Sequence, residues 1–109
     1  MRNDRERMQD IQEAINKIEK YAIRGREEFL ANELIQSWIL LQLQIIGEAA
    51  RSMNSHTHEQ YPEITWRDII DFRNLLVHEY FRVDLELIWQ LVEKELPIFK
   101  QQINLILQQ

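Results

Sequence analysis

The stretch RNLLVHEY, residues 73–80, places a guanidinium, an amide, an imidazole and a phenol within eight residues. Each residue of an α-helix turns by about 100°, so Asn74 and His78, four apart, share a face. Arg73 and His78 lie about 140° apart around a regular helix. They therefore cannot both point squarely at one small target from one undistorted helix. Three arrangements would bring them together: a long reach of Arg73 around the helix, a helix end near His78, or pairing across a symmetric dimer.

The composition predicts an all-α protein. Glycine and proline occur only twice each, which leaves little material for hairpins or tight turns. Leucine, isoleucine, glutamate, glutamine and arginine dominate instead, and these residues favour helices. A chain of 109 residues is long enough for one core, so we expect residues 1–109 to form a single domain. The absence of cysteine excludes disulfides and thiolate metal sites.

Charge and hydropathy limit the possible partners and locations. The net charge is −5 and the isoelectric point is about 5.2, whereas most nucleic-acid-binding domains are basic. Any RNA binding must therefore depend on a local site. Residues 1–7 are charged and lack the apolar core of a signal peptide, and the longest uncharged apolar run, residues 34–47, falls short of a membrane span. We expect a cytoplasmic protein with no membrane association.

The apolar spacing predicts four main helices. The first helix runs from about Asp4 to Arg24, and the second runs from its N-cap Asn32 to about Met53. The third begins at Thr65, which resembles a capping box, and ends between His78 and Tyr80. The fourth begins at its cap Asp84 and continues to at least Ile106. Gly25 is a plausible stop for the first helix, and residues 26–31 form a connector that is partly helical. Pro97 lacks a backbone donor, so we expect a kink or a fresh helix start there.

The second helix is apolar on more than one face. One stripe contains Leu34, Trp38, Leu41 and Ile45, and another contains Ile35, Ile39, Ile46 and Ala50. Such a helix is either central to the core or shared with a second subunit. In so small a domain the second stripe favours a dimer interface, where the small residues Gly47, Ala49 and Ala50 would let another backbone approach closely.

Residues 52–63 are predicted to form a polar loop that contains two histidines. His56 and His58, together with Glu59, have the chemistry of metal ligands. A functional site normally needs a third protein ligand on a rigid element. We therefore interpret both histidines as solvated surface residues and predict no metal site.

The chemistry of residues 73–80 allows a structural and a catalytic interpretation. Arginine and histidine are common near helix ends, because cations interact favourably with the last carbonyls. Alternatively, His78 could transfer a proton near neutral pH and Arg73 could bind a phosphate through its planar fork. Asn74 could orient the imidazole or the substrate. Such a set suits metal-independent cleavage of RNA, in which the substrate's own 2′-hydroxyl attacks the phosphorus.

The same residues resemble the R-x-x-x-x-H-x-Y signature of HepT-like toxins, which belong to the HEPN superfamily of small helical bundles. The flanking stretches also resemble that family, at residues 46–50 and 66–70 and at residues 83–85 with 88–89. The resemblance covers essentially the whole chain. It implies an up-and-down bundle of four to five helices that forms a homodimer, with the two motifs facing one cleft.

The resemblance also implies a role for each polar residue of the motif. Arg73 and His78 match the catalytic pair of HEPN ribonucleases, Asn74 matches a supporting residue, and no cofactor is implied. Tyr80 matches the tyrosine onto which a partner nucleotidyltransferase of the MNT type, the antitoxin, transfers AMP. The expected function is a type VII-like toxin that cleaves RNA. The alternative is a non-catalytic helical module that binds a nucleotide or docks the nucleotidyltransferase.

Overall fold

The computed structural model describes residues 2–109, and this part of the chain contains helices and no strand. The α-helices are α1 (Asp4–Ala22), α2 (Arg26–Ala31), α3 (Glu33–Ser52), α4 (Ser55–Gln60), α5 (Trp66–His78), α6 (Leu85–Gln90) and α7 (Leu96–Leu107). A 3₁₀ turn covers Tyr80–Arg82, and a π-helical turn, Leu91–Glu95, joins α6 to α7. The long elements are α1, α3, α5 and the joined α6–α7 segment, which confirms the predicted all-α bundle. No helix in residues 2–109 has both the length and the apolar character to span a membrane.

The helix starts follow the predicted caps closely. The Asn32 side chain accepts two N–H groups from the first turn of α3, and the Asp84 side chain accepts one from the first turn of α6. These bonds satisfy donors that a helix start leaves free. Thr65 precedes α5 as predicted, but its side chain makes no capping bond. Its ψ of 64° departs from the extended backbone in which an N-cap side chain reaches the helix.

Helix α3 lies at the centre of the bundle, with α1 and α5 packed against it and α7 packed against α1. The α3 stripe that contains Ile39 is buried in the core, as predicted for a central helix. In the other stripe Trp38 is partly buried and its indole N–H donates to the Lys17 carbonyl, whereas Leu34, Leu41 and Ile45 stay exposed, Leu34 at 82% and Leu41 at 49%. Burial within one chain therefore accounts for only one of the two apolar faces of α3.

The segment predicted to be a polar loop contains the short helix α4. His58 in this helix is partly buried, its ring stacks on Trp66 with 4.8 Å between centroids, and its Nε2 lies 2.8 Å from the Ala50 carbonyl oxygen. The interpretation of His58 as a solvated surface residue is therefore wrong, because α4 folds back onto the end of α3 and the start of α5. His56 is exposed, as expected.

The π-helical turn precedes the helix that contains Pro97. The Leu96 N–H bonds to the Leu91 carbonyl five residues earlier, which is the spacing of a π-helix. Helix α7 then begins at Leu96 with Pro97 in its first turn, where a missing backbone donor is tolerated. Of the two predicted alternatives, a kink or a fresh start, the structure shows a new α-helical segment that begins beside Pro97 and follows the π-helical turn without a break.

Gly47 marks the closest approach of α3 and α5. A Cβ atom added to this buried glycine would lie 2.1 Å from the Cβ of Arg73 and 2.6 Å from its Cγ. Neither distance leaves room for two carbon atoms, so only glycine fits while α5 stays in place. The close approach that the small residues of α3 suggested is thus made at Gly47 by α5 of the same chain, and not by a second subunit.

We expect Gly47→Ala to lower the free energy of unfolding by about 1–3 kcal/mol, because α5 must move away from α3 to admit the new methyl group. Urea denaturation would measure this loss. In an Arg73→Gly background the opposing Cβ and Cγ atoms are gone, so the same change should cost far less, since alanine is the better helix former. An equal loss in both backgrounds would contradict the assigned contact.

Candidate functional site

Helix α5 carries residues 73–78 and ends directly after them. The Glu79 N–H bonds to the Leu75 carbonyl at 2.8 Å, and Glu79 itself leaves the helical conformation with φ −134° and ψ 43°. The chain then enters the 3₁₀ turn, whose first residue is Tyr80. The predicted helix end at His78 is confirmed, and it places the imidazole at the exposed end of α5.

The Arg73 side chain is held between α5 and α3. It is 20% exposed, its Nη2 lies 3.0 Å from Glu48 Oε2, and its Nη1 donates to Asn74 Oδ1 at 3.1 Å. Two bonds from different helices therefore fix the guanidinium. Asn74 orients Arg73, whereas the sequence suggested that it would orient the imidazole or the substrate.

Glu48 is a site residue that sequence reasoning did not assign. Its carboxylate also accepts hydrogen bonds from Arg51, and the pKa of Glu48 is held below its usual value by Arg51 first and by the charge of Arg73 in addition. It is therefore ionised at neutral pH and offsets part of the Arg73 charge. The only signal in the sequence was its position next to Gly47, in a stretch that resembles the family.

His78 and Tyr80 face solvent. Tyr80 is 52% exposed, and neither ring makes a hydrogen bond or an ion pair within residues 2–109. The structure thus brings Arg73 and Asn74 together and leaves His78 bonded to neither. This follows from the wide angle between Arg73 and His78 around a regular helix. In the same range, no three histidine, aspartate or glutamate side chains are grouped so that they could hold a metal ion.

Exposed apolar side chains lie on the same side of α3 and α5 as the Arg73–Glu48 ion pair. On α3, Leu41 and Ile45 precede Glu48 by seven and three residues and so share its side of the helix. On α5, the exposed Val77 follows Arg73 by about one turn. We call this surface, made of Leu34, Leu41, Ile45 and Val77, the motif face. It joins an apolar patch to the polar residues of the motif.

Comparisons with known proteins agree on one family. The family described as "HepT-like: Ribonuclease HepT-like" matches residues 11–106. A Thermococcus cleftensis protein named "Probable ribonuclease HepT" is 34% identical over 100 residues, which cover 91% of each chain. A Methanocaldococcus jannaschii protein named "Putative RNase MJ1380" is 34% identical over 79 residues, which cover 72% of each chain. No solved structure matched the chain.

The family match spans every helix that builds the site, including α3 with Glu48 and α5 with Arg73, Asn74 and His78. It therefore agrees with the resemblance carried by residues 73–80 and by their flanks. The chain belongs to the HepT-like ribonuclease family of the HEPN superfamily.

Proposed function

We propose that this protein is an endoribonuclease that cleaves RNA without a metal ion and acts as the toxin of a type VII-like HEPN/MNT toxin–antitoxin pair. The observation that carries the proposal is an Arg73 guanidinium held by an ion pair and a hydrogen bond on a helix whose last residue is the exposed His78. Family membership supports the reaction class, and the contacts of Arg73 with the exposure of His78 support the roles proposed for Arg73, His78 and Asn74.

In the proposed reaction the 2′-oxygen of one nucleotide attacks the adjacent phosphorus, and the bond from phosphorus to the 5′-oxygen of the next nucleotide breaks. One histidine accepts the 2′-hydroxyl proton and another donates a proton to the departing 5′-oxygen. The products are a 2′,3′-cyclic phosphate and a 5′-hydroxyl. Arg73 stabilises the negative charge that develops on the phosphoryl oxygens, because its planar fork stays charged at all working pH values.

A homodimer through the motif face would supply the second histidine. Arg73 and His78 diverge on one helix, so a two-fold axis along the motif face would set the His78 of one protomer opposite the Arg73 of the other. The exposed apolar side chains of the motif face give such an interface a hydrophobic centre. Two Arg73 side chains in one cleft would also create a local cationic site on an acidic chain.

The dimer proposal predicts that Leu41→Asp separates the protomers, because it places a charge in an apolar contact. Light scattering at micromolar concentration should give twice the chain mass for the wild type and one chain mass for this variant. Ile23→Asp makes the same chemical change at an exposed isoleucine away from the motif face and should leave the dimer intact. A monomeric wild type would overturn the proposal.

We expect His78→Ala and Arg73→Ala each to lower RNA cleavage by about 100- to 10,000-fold, since each removes one catalytic role. Cleavage of a labelled RNA by the purified proteins measures this, and expression of the wild type alone should arrest growth. His56→Ala and Arg67→Ala are matched controls, because they remove an exposed histidine on α4 and an exposed arginine on α5 outside the motif.

The rival function is a non-catalytic module that binds a nucleotide or docks a nucleotidyltransferase. The Arg73–Glu48 pair supports this alternative, because an arginine whose charge is partly offset by a carboxylate can bind a nucleotide phosphate without taking part in catalysis. If the wild type leaves RNA intact and all four variants are equally harmless to growth, the module is the correct assignment and the nuclease is wrong.

Tyr80 is the proposed site of regulation by AMP. The phenol oxygen would attack the α-phosphorus of ATP, forming an O–P bond, while the α–β phosphoanhydride bond breaks and pyrophosphate leaves with the phenolic proton passing to solvent. The exposure of Tyr80 on the 3₁₀ turn gives the partner nucleotidyltransferase access to this oxygen. The attached AMP is a bulky anion two residues from His78, which would obstruct the cleft and repel RNA phosphates.

With the partner nucleotidyltransferase and ATP, intact-mass spectrometry should show an added AMP, and peptide mapping should place it on Tyr80. Tyr80→Phe should abolish the addition because the accepting oxygen is gone. Tyr61→Phe is the matched control, since Tyr61 is partly buried and its hydroxyl donates to the Gln109 side chain. An adduct that maps to another residue would disprove the assignment to Tyr80.

A further inference from the structure

A concave surface, separate from the motif face, lies between α3, α5 and α7. This cleft has a volume of about 460 Å³, and its floor is apolar, formed by Leu43, Ile46, Phe72, Leu96 and Phe99. Ile46 and Glu48 point about 160° apart around α3. The cleft therefore opens on the flank of the α3–α5 pair opposite to the Arg73–Glu48 ion pair, and the motif face does not include it.

The rim of the cleft carries negative charge only. Glu63, Asp68 and Glu95 line it and are exposed, and no lysine or arginine is among the lining residues. None of these three carboxylates belongs to an ion pair in the described part of the chain, where other glutamates and aspartates take part in nine. An apolar floor inside an uncompensated acidic rim is complementary to a ligand that is apolar and cationic.

The apolar surface continues beyond the cleft along α7. Leu91, Ile98 and Leu105 recur every seven residues, and Ile98 and Leu105 are 57% and 64% exposed. From Leu91 to Leu105 the helical segment extends over about 20 Å, or about four turns. The π-helical turn supplies Leu91 and Glu95 to the cleft wall, and such turns often occur at functional sites. An elongated surface of this kind fits several turns of a helix better than a small molecule.

We propose that this surface docks a basic amphipathic helix of another protein. One or two of its apolar side chains enter the cleft, others lie along Ile98 and Leu105, and its lysines or arginines pair with Glu63, Asp68 and Glu95. The docking mode is that of an apolar helix face laid in a groove.

A second copy of the chain is a poorer occupant. Its net charge is −5, and nine of its thirteen lysines and arginines already take part in ion pairs. Two acidic rims would also repel each other. The docking surface is separate from residues 73–80, so the proposal is independent of the assignment of RNA cleavage.

The absence of cysteine in the chain allows a direct test. Ile98→Cys would carry one polarity-sensitive fluorophore at the edge of the cleft, and Ile23→Cys would carry it at an exposed isoleucine elsewhere. The probe is a synthetic helical peptide of about 18 residues with leucine on one face and lysine on the other. We expect a saturable blue shift of the fluorophore at position 98 and none at position 23. A shift at position 98 that follows protein concentration without peptide would identify a second copy as the occupant and overturn the proposal.

The acidic rim is tested with unlabelled protein and a fluorescent version of the same peptide. Combining Glu63→Gln, Asp68→Asn and Glu95→Gln should weaken binding by about tenfold or more in fluorescence anisotropy, since three exposed ion pairs are lost. The matched control combines Glu27→Gln, Glu33→Gln and Glu59→Gln, which removes the same charge at exposed sites outside the cleft, and it should change binding by less than about twofold. Equal weakening by both triple variants would show general charge attraction and would refute a defined docking site.

Discussion

The contact between Gly47 and Arg73 is the constraint on which the site depends. Helix α5 approaches α3 so closely there that no Cβ atom fits at position 47. This approach brings the Arg73 guanidinium within reach of Glu48, the next residue along α3, and holds it beside Asn74. It also sets α5 over the middle of α3, so that the motif face opens on one flank of the pair and the acidic cleft on the other. Because Gly47 has no side chain, α5 can pack close to α3, and this packing positions both surfaces.

The end of α5 determines what a single protomer can do. A regular helix through His78 keeps the imidazole turned away from Arg73, and the chain then leaves the helix so that Tyr80 is displayed on a separate turn. The Arg73 guanidinium and the His78 imidazole, the two proposed catalytic groups, therefore do not point at one position within a single chain. The exposed apolar side chains of α3 lie beside them, where a second protomer would have to bind to complete the set. In this protein the candidate site and the proposed interface are parts of the same surface.

The fold was accessible from the sequence because its signals are local. The apolar spacing and the caps Asn32 and Asp84 act within one or two turns, and they place the main helices correctly. Helix α4 was missed because its six polar residues have no apolar period, and the stack of His58 on Trp66 joins residues of two different helices. The role of Glu48 was inaccessible for the same reason, since its contact with Arg73 exists only once α5 lies on α3. Arg73, Asn74, His78 and Tyr80 could be proposed as site residues because they lie within eight consecutive residues of the sequence.

The ion pair between Arg73 and Glu48 has a consequence for how RNA would associate with the protein. An arginine that faces free solvent releases small ions when a phosphate binds it, and affinity then falls steeply as salt rises. Here the Arg73 guanidinium is already paired with the Glu48 carboxylate, so an incoming phosphate would displace Glu48 as well as small ions. Because Glu48 is shared with Arg51 and offsets only part of the charge, association would depend less steeply on ionic strength than it would for a free arginine. Selection among RNAs would then depend on the local shape of the RNA and on how one phosphate fits between the two Arg73 side chains of the proposed dimer.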